Sequence, residues 1–257
     1  SISFNGAANT PTVACTAGVG CLFGSLDLTS IGTFTGNTVR FQGRSSYTLT
    51  SAGAVFPSVV GIYAPSGTVV LTDALTTTGQ FEMAGGTLTT SGFSVTAPSF
   101  ILNTSSALAR TLNLGSSTIT LTSTGTIYTA NAPTPTINAG TSTIVINNVS
   151  ATAKTFAGGG NTYYNLTVTG DNATITGSNT WNTIAVNNAG LTNGLKFTSG
   201  TTQTISALTT NGNTGNLAKL RSVTASSAAN IRKNTSGDVS VDYMSLQDTN
   251  VAGTGAG

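Results

Sequence analysis

Side chains that move protons, attack carbon or hold metals are scarce in this chain. Its 257 residues include no His, two Cys, seven Asp or Glu and nine Lys or Arg. Without His, every His-dependent catalytic triad is excluded, and so are most zinc sites. Cys15 and Cys21 have no base near them in sequence, which argues against thiol catalysis. They flank Thr-Ala-Gly-Val-Gly, a short flexible loop that can close into a disulfide. The composition has a secreted character, so the pairing Cys15–Cys21 is expected, and two free thiols in a reducing compartment are the alternative.

Carboxylates could cleave sugars, since glycoside hydrolysis needs two of them across the bond. The acids are Asp27, Asp73, Glu82, Asp171, Asp238, Asp242 and Asp248, and only the last three cluster. On a strand, Asp238 and Asp242 share one face, which sends Val239, Val241 and Tyr243 toward the core. The plainest reading is a solvated outer face at a strand end. A calcium site in oxygen-rich turns and a catalytic pair are the sharper ones. We assign no catalytic, cofactor-binding or metal-ligating residue. Tyr163, Tyr164 and Trp181 could stack on sugars or fill coil corners. If Leu166 and Val168 point inward, alternation carries Tyr164 inward and leaves Tyr163 outward, so Tyr163 and Trp181 are the candidate recognition aromatics. The triplet Gly158-Gly-Gly160 lacks the Lys-Ser/Thr of a phosphate loop.

Charge narrows the classes further. Charged residues make up 6% of the chain, against about 25% in a typical soluble domain. The surface must therefore be Thr, Ser, Asn and Gly. A net charge of +2 is too small for the basic stripe of a nucleic-acid binder. No apolar run approaches the ~18 residues of a transmembrane helix. No cleavable leader is visible, and the chain starts at Ser1, which suggests a processed product or an excerpt.

These residues need positioning elements, and the sequence favours strands. Glu82 is the only Glu and Lys is sparse, so surface helix formers are missing, whereas Thr, Val, Ile and Tyr suit pleated strands. Apolar residues return in alternating pairs or triples before Gly- or Asn-rich breaks: Val69 to Leu71, Phe100 to Leu102, Leu112 and Leu114, Ile119 and Leu121, Ile144 and Ile146. Leu166 and Val168, Ile184 and Val186, Leu195 and Phe197, and Val239 and Val241 continue the pattern. Gly115-Ser-Ser-Thr-Ile-Thr-Leu121 resembles Gly140-Thr-Ser-Thr-Ile-Val-Ile146, 25 residues later (140 minus 115). A helix-free repeat of this length predicts an all-β, right-handed parallel β-helix, or β-solenoid. Residues 1–60 fit least and are expected to form an N-terminal cap or small subdomain, with the solenoid over 61–257. A β-sandwich is the runner-up.

The stretch from Lys154 to Val168 contains Gly-Gly-Gly-Asn-Thr-Tyr-Tyr-Asn-Leu-Thr-Val. It is followed by Ile175-Thr-Gly-Ser-Asn-Thr-Trp-Asn182, Phe197-Thr-Ser-Gly-Thr-Thr-Gln-Thr-Ile205 and Val239-Ser-Val-Asp-Tyr-Met-Ser-Leu-Gln-Asp248. This order resembles a recurring β-solenoid module of bacterial surface, adhesin-like proteins and of tail-fibre-like virion proteins of tailed phages. The likeness covers about the last 105 to 140 residues. It implies an extracellular, cell-surface or virion-surface setting and a structural or adhesive role, without catalytic residues or cofactors. The expected partners are further copies or other subunits of a surface assembly, together with cell-surface glycans. A receptor-binding fibre module and a polysaccharide hydrolase or lyase are the alternatives.

Overall fold

The computed structural model describes residues 2–3, 12–15, 20–31, 33–102, 107–131, 135–235 and 239–252. The chain is all-β, with no helix among these residues and with parallel strands stacked as a β-solenoid of about ten turns. Among the described residues no helix is long and apolar enough to cross a membrane. Two compact units divide it: Ser1–Thr120 with Ala132–Ser142, and Leu121–Asn131 with Thr143–Gly257.

In the first unit, stacking already begins inside the expected cap. Leu26 lies in register with Leu49, and Val39 with Val60. The long strands Val60–Leu71 and Phe81–Thr89 each serve two faces of a coil, and each turns at a corner between them. Alternation sets the inside and outside. Val69, Leu71, Leu88 and Leu112 are buried, while Thr68, Thr87 and Thr111 lie in register on the outer side. The 25-residue repeat is one full coil: Thr111 pairs with Thr136, and Thr141 N–H donates to Gly115 O at 2.7 Å. Both repeat glycines are left-handed, at φ 54° and 57°. A Cβ on Gly140 would lie 2.3 Å from Gly115 O, so only glycine fits this stacked corner.

In the second unit two parallel sheets alternate along the chain. One runs Gly125–Thr129, Lys154–Ala157, Ala173–Thr176, Leu195–Phe197, Ala218–Ser222, Met244–Gln247. The other runs Thr143–Ile146, Asn165–Val168, Thr180–Val186, Thr202–Thr210, Ala229–Lys233, Thr249–Ala252. Ile144, Leu166, Ile184 and Leu208 stack in one inner row, at most 7% exposed. Burying one such side chain contributes roughly 1.5–3 kcal/mol. Coil length varies while the row is kept. Successive steps take 22 (166 minus 144), 18 (184 minus 166) and 24 residues (208 minus 184). The corners absorb the difference. One example is Asn213 and Asn216, which exchange backbone hydrogen bonds at 3.0 Å in a self-closed exposed turn.

The expected strand through Val239 and Val241 does not form. Residues 239–243 are irregular and both valines are half-buried. Tyr243 has φ 52°, which no extended strand tolerates, so the strand restarts at Met244 with the opposite parity. Met244 and Leu246 thereby take the inner positions, in register with Ala218 and Leu220.

Candidate functional site

The aromatics singled out by sequence are core residues. Tyr163 is 2% exposed and Trp181 1%, which corrects their assignment to recognition, and Tyr164 is the half-exposed one. The strand begins at Asn165, after a bend at Tyr164, so alternation counted backward through the bend gives the wrong face. Tyr163 N–H donates to Thr180 O at 2.9 Å, and its hydroxyl donates to Gly158 O at 2.8 Å. Its ring stacks on Trp181 (centroids 4.7 Å apart) beside the stacked pair Tyr128 and Phe156 (4.2 Å). Trp181 Nε1–H donates to Gln203 Oε1 at 3.0 Å, and Gln203 Nε2 donates to Gly177 O at 2.7 Å. Burial pushes the Tyr163 hydroxyl well above its ordinary pKa, and Tyr128 pushes it further. The polar atoms of Tyr163, Trp181 and Gln203 are thus hydrogen-bonded inside a buried core layer.

Several carboxylates fix turns. Asp27 accepts from Thr29 N–H, and Asp73 accepts from Ser51 and Ala52 N–H. Asp171, only 3% exposed, accepts at Oδ1 from Asn193 N–H (2.8 Å) and Gly194 N–H (2.7 Å), and at Oδ2 from Asn193 Nδ2 (3.0 Å). Burial pushes this carboxyl up, but these donors outweigh it and hold the pKa below the usual range. Next to it lies fully buried Lys154, whose Nζ donates to Ser150 O, Thr152 O at 2.9 Å and Asp171 O at 2.7 Å. Desolvation lowers the Lys154 pKa, and Asp171 partly restores it. Lys154 and Asp171 therefore lock a corner together.

Asp238 and the side chain of Cys15 lie outside the described residues, so the carboxylate pair and the disulfide both fall there. Cys21 is exposed, on a strand paired with Val39–Phe41. Asp242 is exposed and stands with Tyr243, itself 51% exposed, beside a groove of about 400 Å³. Leu208, Thr209, Thr210, Gly212, Ser240 and Val241 complete its walls. Gly212 is required here, because a Cβ would meet Tyr243 O at 2.0 Å. Among the described residues no three His, Cys, Asp or Glu side chains converge on a possible metal position.

Two exposed features fall on residues that the sequence did not single out. The first is the end of the second unit's inner rows. Leu195 and Leu220 are fully buried, but Leu246, next in that row, is 46% exposed. In the other sheet Ile231 is 1% exposed and its partner Val251 is 46%. The second feature is cationic. Lys196 pairs in register with Arg221 on the outer face, and Lys219 stands two residues away. The mixed alternation of Val239 to Leu246 hid the first feature. The second was hidden because 24 residues separate Lys196 from its nearest strand-paired cation (221 minus 196, less one).

No family model, curated protein or solved structure matches the chain.

Proposed function

We propose that the chain is a non-enzymatic structural and adhesive element of an extracellular, cell-surface or virion-surface assembly. The observation that carries this reading is the row Leu195–Leu220–Leu246, buried at two coils and half-open at the third. Half-exposed apolar side chains at Leu246 and Val251 suit stacking against a further coil of the same geometry, from the same chain or from another copy. A sparse charge set adds little repulsion to such stacking. The turn-fixing roles of Asp27, Asp73 and Asp171 also favour a structural role over catalysis.

Light scattering tests the reading: native material should have a mass well above the 25.6 kDa monomer. Leu246→Lys with Val251→Lys should shift it toward the monomer. A wild-type protein that stays monomeric at micromolar concentration would reject assembly through this end. Incubation with bacterial and algal polysaccharides should release no reducing ends or unsaturated products. Turnover abolished by Asp242→Asn would establish an enzyme instead. A receptor-binding fibre module is the second reading, favoured by Tyr243 exposed beside its groove.

A further inference from the structure

The chain spends its few charges unevenly. Three cations face three acids in the first unit, whereas six face four in the second, so the net charge of +2 belongs to the second unit. Half of those six cations are buried or stand elsewhere: Lys154 is internal, and Arg232 and Lys233 lie on the other sheet. The remaining three, Lys196, Lys219 and Arg221, share one outer face on two neighbouring strands.

Register makes this arrangement costly. Neighbouring strands are about 4.8 Å apart, and like charges placed directly opposite destabilise a sheet. Desolvation and then Arg221 lower the Lys196 pKa, while Asp171 raises it in part. Among the described residues no carboxylate accepts a hydrogen bond from any of the three. Lys196 Nζ donates to Asn172 Oδ1 at 2.7 Å; Lys219 Nζ and Arg221 Nη2 both donate to Thr192 O, at 3.3 and 3.1 Å. Asp171 already holds Asn193 and Gly194 with both oxygens. The backbone beneath is pinned: buried Asn188 bonds both the N–H (2.8 Å) and the C=O (3.1 Å) of Lys219. In a chain with 6% charged residues, this is no by-product of a dense charged skin.

We infer that Lys196, Lys219 and Arg221 form a binding site for an acidic polysaccharide, whose carboxylate or sulfate groups neutralise the opposed cations. The row through Lys196 and Arg221 continues as Thr155, Thr174 and Gln247, hydroxyl and amide groups suited to sugar hydroxyls. The strand spacing is comparable to one sugar residue of an extended glycan, so successive acidic sugars meet successive strands. Arg221 supplies a planar fork for a carboxylate, and the two lysines supply point charges. Nucleic acid fits less well, because this row presents no aromatic side chain for bases to stack on. The site does not depend on assembly through the open coil.

The test measures binding of fluorescent alginate oligomers at low and high salt, with dextran and oligo-dT as comparisons. Wild type should bind alginate, release it as salt rises, and ignore dextran. The triple variant Lys196→Gln/Lys219→Gln/Arg221→Gln should lose about tenfold or more in affinity, the scale of losing charge-assisted contacts. Arg232→Gln, on the other sheet, should bind as wild type does. The charge-conserving Lys196→Arg/Arg221→Lys should retain alginate binding, which keeps the test valid if circular dichroism shows the triple variant misfolded. Absence of salt-sensitive alginate binding by wild type would overturn the site. So would unchanged affinity in a folded triple variant, equal weakening by Arg232→Gln, loss of binding in a folded charge-conserving variant, or tighter binding to oligo-dT.

Discussion

Leu246 stacks in register on Leu220, yet Leu220 is fully buried and Leu246 is 46% exposed. The two residues occupy the same inner row and differ in whether a coil covers them. Leu220→Ala should therefore destabilise the protein by about 2–5 kcal/mol, as buried leucines do. Leu246→Ala should cost under about 1 kcal/mol in dilute monomer, where little packing is lost. Urea unfolding measures both. Equal losses would mean that the final coil is covered.

Trp181 is the single tryptophan of the chain, so its fluorescence reports on one place. Buried among Phe156 and Tyr163, it should emit at short wavelength and resist iodide quenching. Oligosaccharides should leave the spectrum unchanged. Emission typical of solvent-exposed indole would return Trp181 to the candidate recognition residues.

Two glycines separate backbone strain from collision. Gly53 and Gly140 both have positive φ, but a Cβ at Gly53 meets nothing within 4 Å, whereas one at Gly140 strikes the Gly115 backbone. Gly53→Ala should cost about 1–2 kcal/mol, the left-handed penalty alone. Gly140→Ala should cost clearly more, since the stacked corner must also open. Comparable midpoints in thermal unfolding would contradict the stacking of the repeat.

Asp171 should shape the acid limb of stability. Its folded pKa lies below the unfolded value of about 3.9. The unfolded chain thus binds more protons between those two values. The carboxylate's contribution is present above about pH 4 and is lost as pH falls through the lower folded pKa. Asp171→Asn should lower stability near neutrality by about 1–3 kcal/mol, the range for a charged hydrogen-bond acceptor. The gap to wild type should close in acid. A gap independent of pH would show that geometry rather than charge matters there.

Inner rows were the most legible part of the sequence. Ile144, Ile146, Leu166 and Val168 alternate with polar or smaller neighbours and are all at most 1% exposed. The match between Gly115 and Gly140 likewise marked one true coil. Alternation fails where the chain bends, because one irregular residue reverses which parity faces inward. This happens at Tyr164, which moves Tyr163 into the core, and at Tyr243, which moves Leu246 inward in place of Val241. The pairing of Lys196 with Arg221 depends on coil length, which varies with each corner and leaves no local periodicity to read.

The turn closed by Asn213 and Asn216 satisfies its own backbone and stands outside the ladder. Gly215 within it has φ 84° and open space where a side chain would project. Foreign sequence spliced between Thr214 and Gly215 would therefore lengthen one corner without dislodging the rungs on either side. That makes the coil a display scaffold: a peptide epitope or a small folded insert could be carried there, while Thr202–Thr210 and Ala218–Ser222 keep their neighbours.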